Sequence, residues 1–190
     1  MGCCALRHPA VAAVVEEALL KFDGERYRLI CWSIMPNHVH VLLEPQTDLG
    51  RIVQSWKSFT GRWALAKNVE LDLGIPGPCF WMRDYWDRYI RGEAHFKAVA
   101  EYIHQNPVKA GLVEAPDQWR WSSAWHLGPP SSSSALLSSA EGVNAKLELG
   151  GPRGSQAMTR SHCGFHVSAK AMASAEAASP ITHTSAAMDA

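Results

Sequence analysis

The chain has 190 residues, enough for one domain with or without an appended segment. Its 18 Lys+Arg balance 18 Asp+Glu, and residues 1–127 carry 14 of each, which excludes the global basic signature of a nucleic-acid-binding protein. Five cysteines without a Cys-x-x-Cys pair, an N-terminus unlike a signal peptide and the lack of any run of 18 apolar residues point to reduced thiols in the cytoplasm and exclude a membrane-spanning helix.

Apolar residues at Val11, Val14, Val15, Ala18, Leu19 and Phe22 follow helical spacing, so the first helix is predicted over Pro9–Phe22. Pro9 suits its first turn and Asp23-Gly24 ends it. Tyr27–Ile34 reads as a strand, Met35-Pro36-Asn37 as a tight turn and His38–Glu44 as the antiparallel partner. Strand side chains alternate, so Val39, Val41 and Leu43 face a core while His38 and His40 share the other face. Two imidazoles about 7 Å apart along a strand can bind one divalent ion. Either histidine taken alone also fits an ordinary core or surface position.

A second helix is predicted over Leu49–Lys67. Residues 51–67 carry Arg51, Lys57, Arg62 and Lys67 and no acid, interleaved with Trp56, Phe59 and Trp63. Such a surface can follow a phosphate backbone and stack bases. The bland alternative, which we favour for the apolar residues, buries Ile52, Trp56, Phe59 and Trp63 and leaves the cations outside. After the loop at Pro76-Gly77-Pro78, short strands are predicted at Cys79–Trp81 and Tyr89-Ile90, and a third helix over Glu93–Gln105. Phe96, Val99, Ala100 and Ile103 form its apolar stripe.

On a continuous helix Tyr102 and Asn106, four apart, lie one above the other. A phenol above an amide suggests a nucleophile beside a metal ligand. Asn106-Pro107 followed by Gly111 also fits a helix stop and a short new helix, with Asn106 as its N-cap. The composition divides near residue 128. All 8 Trp, all 4 Tyr and four of the 5 Phe precede it. Residues 128–190, rich in Ser, Ala and Gly, are expected to be a disordered tail, and 1–127 the domain.

Met35-Pro36-Asn37-His38-Val39-His40 together with Tyr102-Ile103-His104-Gln105-Asn106-Pro107-Val108-Lys109-Ala110-Gly111 resembles the single-tyrosine HUH transposases, most closely the REP-associated tyrosine transposases. Ser55-Trp56-Lys57-Ser58-Phe59-Thr60, the run from Phe80-Trp81 to Arg91, and Trp119-Arg120-Trp121-Ser122-Ser123 extend the resemblance over about residues 3–125. It implies an α+β, ferredoxin-like antiparallel sheet packed by helices. It further implies a transposase that cleaves and rejoins single-stranded DNA, including hairpins, through a 5′-phosphotyrosine. His38, His40 and Asn106 would bind Mg²⁺ or Mn²⁺, and Tyr102 would be the nucleophile. Arg51, Lys57, Arg62, Arg83, Arg88, Arg91 and Lys109 are the candidate DNA contacts, although Arg83, Arg88 and Arg91 can equally pair with Asp84, Asp87 and Glu93. A monomer or homodimer is expected.

The chain departs from the resemblance at one place. The resemblance places a strand before the first helix, central and beside the histidine strand, and the chain, starting at Met1-Gly2-Cys3-Cys4, is expected to lack it. A non-catalytic module for single-stranded DNA or RNA is therefore the competing reading. A histidine-triad hydrolase is disfavoured because Leu42 stands where a further histidine is needed.

Overall fold

The computed structural model describes residues 4–90, 92–128 and 163–170. Helix α1 spans Pro9–Leu20, with the His8 Nδ1 accepting the Ala10 N–H at its start. Strands β1 (Tyr27–Ile34) and β2 (His38–Pro45) form an antiparallel hairpin. Helix α2 spans Leu49–Ala66, capped by the Asp48 carboxylate on the Arg51 N–H. Strand β3 (Trp86–Ile90), helices α3 (Glu93–Lys109) and α4 (Ser123–Leu127), and strand β4 (Gly164–Lys170) complete the fold. The α+β class is as expected.

The sheet separates two layers. Val39, Val41 and Leu43 are fully buried in one cluster with Val11, Val15 and Leu19 of α1 and Ile52, Val53 and Trp56 of α2. The opposite face carries Cys31, Leu42 and Ile90 against Val99 and Ile103 of α3. A bulge at Ile30 keeps β1 in step with this division. Leu29 pairs with Leu43 but Cys31 pairs with Leu42, so Tyr27 and Trp32, five apart, both serve the α1/α2 core. A buried polar chain crosses that core: Trp56 Nε1 donates to the Tyr27 hydroxyl at 3.1 Å, which donates to the Leu19 carbonyl at 2.7 Å. The segment Trp119–Ser123 covers the outer edge of β1. The Ile34 N–H donates to the Trp121 carbonyl at 2.8 Å, and the Ser122 hydroxyl to the Trp32 carbonyl at 3.1 Å.

Four details differ from expectation. Helix α3 does not stop at Asn106; it runs through the buried Pro107 to Lys109 and closes with Gly111 at φ +67°. Proline forfeits only its own N–H bond one turn from the end, where the loss is small. Phe59 is 42 % exposed, whereas Ile52 and Trp56 are buried as expected. The strand expected at Tyr89-Ile90 begins at Trp86, and the one expected at Cys79–Trp81 reduces to a bridge from Trp81 to Cys163.

The fourth difference is the largest. The sheet order is β1-β2-β4-β3, so residues 164–170 of the expected tail fill the central slot beside the histidine strand. β4 pairs in parallel with both β2 and β3, which makes the sheet mixed rather than antiparallel. It enters at the hairpin end: the Gly164 N–H donates to the Asn37 carbonyl at 3.0 Å, and the Cys163 N–H to the Phe80 carbonyl at 3.1 Å. A segment that starts there can only run alongside β2. Residues 129–162 and 171–190 of the expected tail lie outside the described residues.

Candidate active site

His38 and His40 stand on the face of β2 that α3 covers. Their Nε2 atoms approach to 3.0 Å, and the rings meet edge to face. Asn37 Oδ1 lies 2.7 Å from the His38 Nδ1. An amide oxygen only accepts, so the His38 proton sits on Nδ1 and its Nε2 lone pair points inward. Two Nε2 atoms at this separation share one proton or one cation. Adjacent ligands of an octahedral ion, with bonds of about 2.1 Å, are themselves about 3 Å apart, so the pair fits a divalent ion. Among the described residues no group of three or more His, Cys, Asp or Glu side chains is placed to hold a metal.

Helix α3 brings Tyr102 to this pair. Its half-buried ring lies 5.6 Å from the His40 ring, centroid to centroid, at an interplanar angle of 84°. Lys109, two turns further on, holds its Nζ 4.9 Å from the Tyr102 ring centroid. Asn106 lies one turn beyond Tyr102, and its Nδ2 donates to the Tyr102 carbonyl at 2.9 Å. That bond orients the amide and leaves Oδ1 as the one atom of the group able to accept. The helix is fixed from behind by His104, whose Nε2 is 2.8 Å from the Ser123 hydroxyl. Burial holds the His104 pKa below its ordinary value, so the ring is neutral and serves as a hydrogen-bonding strut.

The seven candidate DNA-binding cations separate. Lys109 adjoins Tyr102, and Arg88 shares the site face of β3 with Ile90 by alternation. Arg51 and Arg62 are exposed on α2, on the other side of the sheet. Arg83 is exposed in the loop before β3, and the side chain of Arg91 lies outside the described residues. Lys57 is engaged inside the protein: its Nζ donates to the carbonyls of Met82 and Arg83 at 2.5 and 2.8 Å. Burial lowers the Lys57 pKa, with Asp84 acting against the shift. Glu93, considered as a partner for the loop arginines, instead meets Lys97 at 2.9 Å.

Two residues were not singled out from the sequence. Asn37 reads there as a turn residue, yet it orients His38. Its replacement by alanine is expected to weaken divalent-metal affinity about 10- to 100-fold with the fold intact, measured by calorimetric titration of Mn²⁺. Trp86 shares the site face of β3 with Ile90 and is 40 % exposed, which offers an indole for base stacking. An exposed aromatic on a strand was the available signal. Trp86→Ala is expected to weaken binding of a single-stranded hairpin by about 1–3 kcal/mol in a fluorescence-anisotropy titration, without unfolding the protein.

The family described as "Transposase IS200 like" matches residues 8–106 of the chain. The REP-associated tyrosine transposase of Escherichia coli K12 is 25 % identical over 113 residues, covering 58 % of this chain and 62 % of that protein. A Haemophilus influenzae protein whose name assigns it provisionally to the same group is 26 % identical over 112 residues, covering 51 % and 58 %. The chain thus spans about three fifths of the length of these relatives. No solved structure matches. No helix among the described residues is long and apolar enough to cross a membrane. The match extends over just over half of the chain, from the residue that caps α1 to the asparagine one turn beyond Tyr102, and the chain belongs to the IS200-like transposase family.

Proposed function

We propose that the protein is a metal-dependent transposase that cleaves single-stranded DNA through a covalent bond to Tyr102. The observation that carries this reading is the meeting of Tyr102 with the His38–His40 pair, its ring 5.6 Å from that of His40. His38, His40 and Asn106 would hold the divalent ion, Mg²⁺ or Mn²⁺. Bound there, the ion would supply Lewis-acid polarisation of the scissile phosphate.

The Tyr102 oxygen attacks phosphorus and gives up its proton. The bond from phosphorus to the 3′-oxygen breaks, and that oxygen leaves as a 3′-hydroxyl after taking up a proton. The product is a 5′-phosphotyrosine, which conserves the phosphodiester energy so that another 3′-hydroxyl can reverse the step. Lys109, beside the tyrosine ring, meets the charge of the phosphate. Arg88 and Trp86, on the site face of β3, supply a cation and a stacking surface for unpaired bases. DNA hairpins fit this arrangement because they present a single-stranded flank beside a shaped duplex.

Incubation with a 5′-labelled and a 3′-labelled single-stranded hairpin and Mn²⁺ tests the proposal. The expected result is a protein–DNA adduct carrying the 3′-label only, together with a released 5′-labelled strand ending in a 3′-hydroxyl. Salt-sensitive hairpin binding without any adduct, under every divalent metal tried, would instead favour a non-catalytic binding module.

A further inference from the structure

Helix α3 buries one line of residues, Val99, Ile103 and Pro107. With about 3.6 residues per turn, the residues just before and just after Ile103 project about 100° to either side of it. They are Tyr102 and His104. Tyr102 turns toward β2, where its ring lies 5.6 Å from that of His40. His104 turns toward the outer edge of β1, where its Nε2 lies 2.8 Å from the Ser123 hydroxyl. That hydroxyl is itself held by the strand: it accepts the Trp32 N–H at 3.0 Å and lies 3.3 Å from the Trp32 carbonyl. Ser123 is buried, and Arg120 and His126 on either side of it meet Glu16 of α1 at 3.3 and 3.1 Å. The point that receives His104 is therefore tied to both β1 and α1.

Resting on the reading of Tyr102 as the nucleophile, we propose that His104 is a positioning residue of the reaction, fixing the rotation of α3 about its own axis. Apolar packing is non-directional, so it holds a helix on a sheet but yields to small rolls. The hydrogen bond to Ser123 is directional, and it acts on the flank of α3 opposite Tyr102. Asn106 and Lys97 bond within the helix, to the Tyr102 carbonyl and to Glu93, so those bonds do not resist a roll. The lever is long. A phenolic oxygen stands about 8–9 Å from the axis of a helix whose Cα radius is about 2.3 Å, so a roll of about 10° carries it about 1.5 Å. Misplacing a reacting atom by about 1 Å can cost about 100-fold in rate. His104 thus acts on the reaction through the placement of the tyrosine oxygen.

The test is the single-turnover rate constant of adduct formation, measured on the full chain with saturating single-stranded hairpin and Mn²⁺. A partly unfolded protein loses adduct yield, not rate constant, which separates positioning from stability. The expected result is a rate constant about 10- to 100-fold lower in His104→Ala with hairpin affinity unchanged. His104→Gln, whose amide can donate to or accept from the Ser123 hydroxyl, is expected to restore most of the rate. His104→Ala combined with Ser123→Ala is expected to be no slower than Ser123→Ala alone, because both remove the same bond. Labelling of Cys31, buried between the sheet and α3, reports whether the helix stays seated. If His104→Ala exposes Cys31, His104→Leu, which fills the space without the bond, takes its place in the comparison. The parent rate constant in the variant lacking the bond, a fall in adduct yield alone, or additive losses in the double variant overturns the role of His104 and leaves Tyr102 as the nucleophile. No adduct with the parent, or an equal one with Tyr102→Phe, overturns the nucleophile and the proposal with it.

Discussion

A Tyr102→Phe protein is expected to bind a single-stranded hairpin as tightly as the parent and to form no covalent adduct with it. The change removes one oxygen and keeps the ring. The edge-to-face contact with His40 at 5.6 Å and the Lys109 ammonium 4.9 Å from the ring are contacts of the ring itself, so the fold and the bound DNA should be undisturbed. Loss of the attacking atom should lower the cleavage rate by at least about 1,000-fold, a barrier increase of roughly 4 kcal/mol. Adduct yield on a denaturing gel, set beside anisotropy measured on the same hairpin, separates the two effects. Equal loss of binding would make Tyr102 a DNA contact. A persistent adduct would point to another hydroxyl, and Tyr85 and Tyr89 near β3 are the nearest tyrosines in sequence.

The second large effect is expected from Val167→Asp. Val167 is 2 % exposed, in register with Val41, inside the α1/α2 core. A carboxylate there has no described cation to pair with and should cost roughly 3 kcal/mol or more. The least costly response is for β4 to leave the sheet. Its departure strips the backbone partners from the facing edges of β2 and β3 and loosens the strand that holds both histidines. The expected results are a lower urea midpoint, rapid labelling of Cys163 and much weaker cleavage. Cys31 gives an internal reference. It is buried between the sheet and α3, where burial pushes its thiol pKa up to about 12. Cys31 should therefore stay unreactive while Cys163 is exposed. An unchanged midpoint with Cys163 labelled equally fast in both proteins would mean that β4 is not part of the folded sheet.

The sequence is legible where one periodicity answers to one environment. His38 and His40 alternate with Val39 and Val41, and the structure places the two pairs on opposite faces. Tyr102 and Asn106 are one turn apart because α3 is continuous there. The alternative of a helix stop at Asn106 failed because Pro107 sits one turn from the end and is itself buried. Phe59 was assigned to the buried face of α2 with Trp56, but its neighbourhood is open, and helical spacing alone does not say how wide the covered stripe is. The hydroxyls of Ser122 and Ser123 satisfy the edge of β1, and that of Ser123 also anchors His104. Their shared partner Trp32 lies about ninety residues away in sequence, and local pattern carries no such information.

β4 was the least legible element. Gly164-Phe165-His166-Val167-Ser168-Ala169-Lys170 alternates as a strand should, but Gly, Ser and Ala are weak strand formers and the flanking composition resembles a linker. Alternation is also blind to direction, so no sequence pattern announces a parallel neighbour for the histidine strand. The slot itself was foreseen, and its occupant was not.

The account turns on the bond between Tyr102 and DNA, and peptide mapping of the adduct tests it most directly. After reaction with a hairpin and Mn²⁺, nuclease trimming and trypsin should leave a nucleotide attached to the peptide Ala98–Lys109, with fragmentation placing the mass on Tyr102. The same mass on any other residue, or strand cleavage at full rate with every peptide unmodified, would contradict the account.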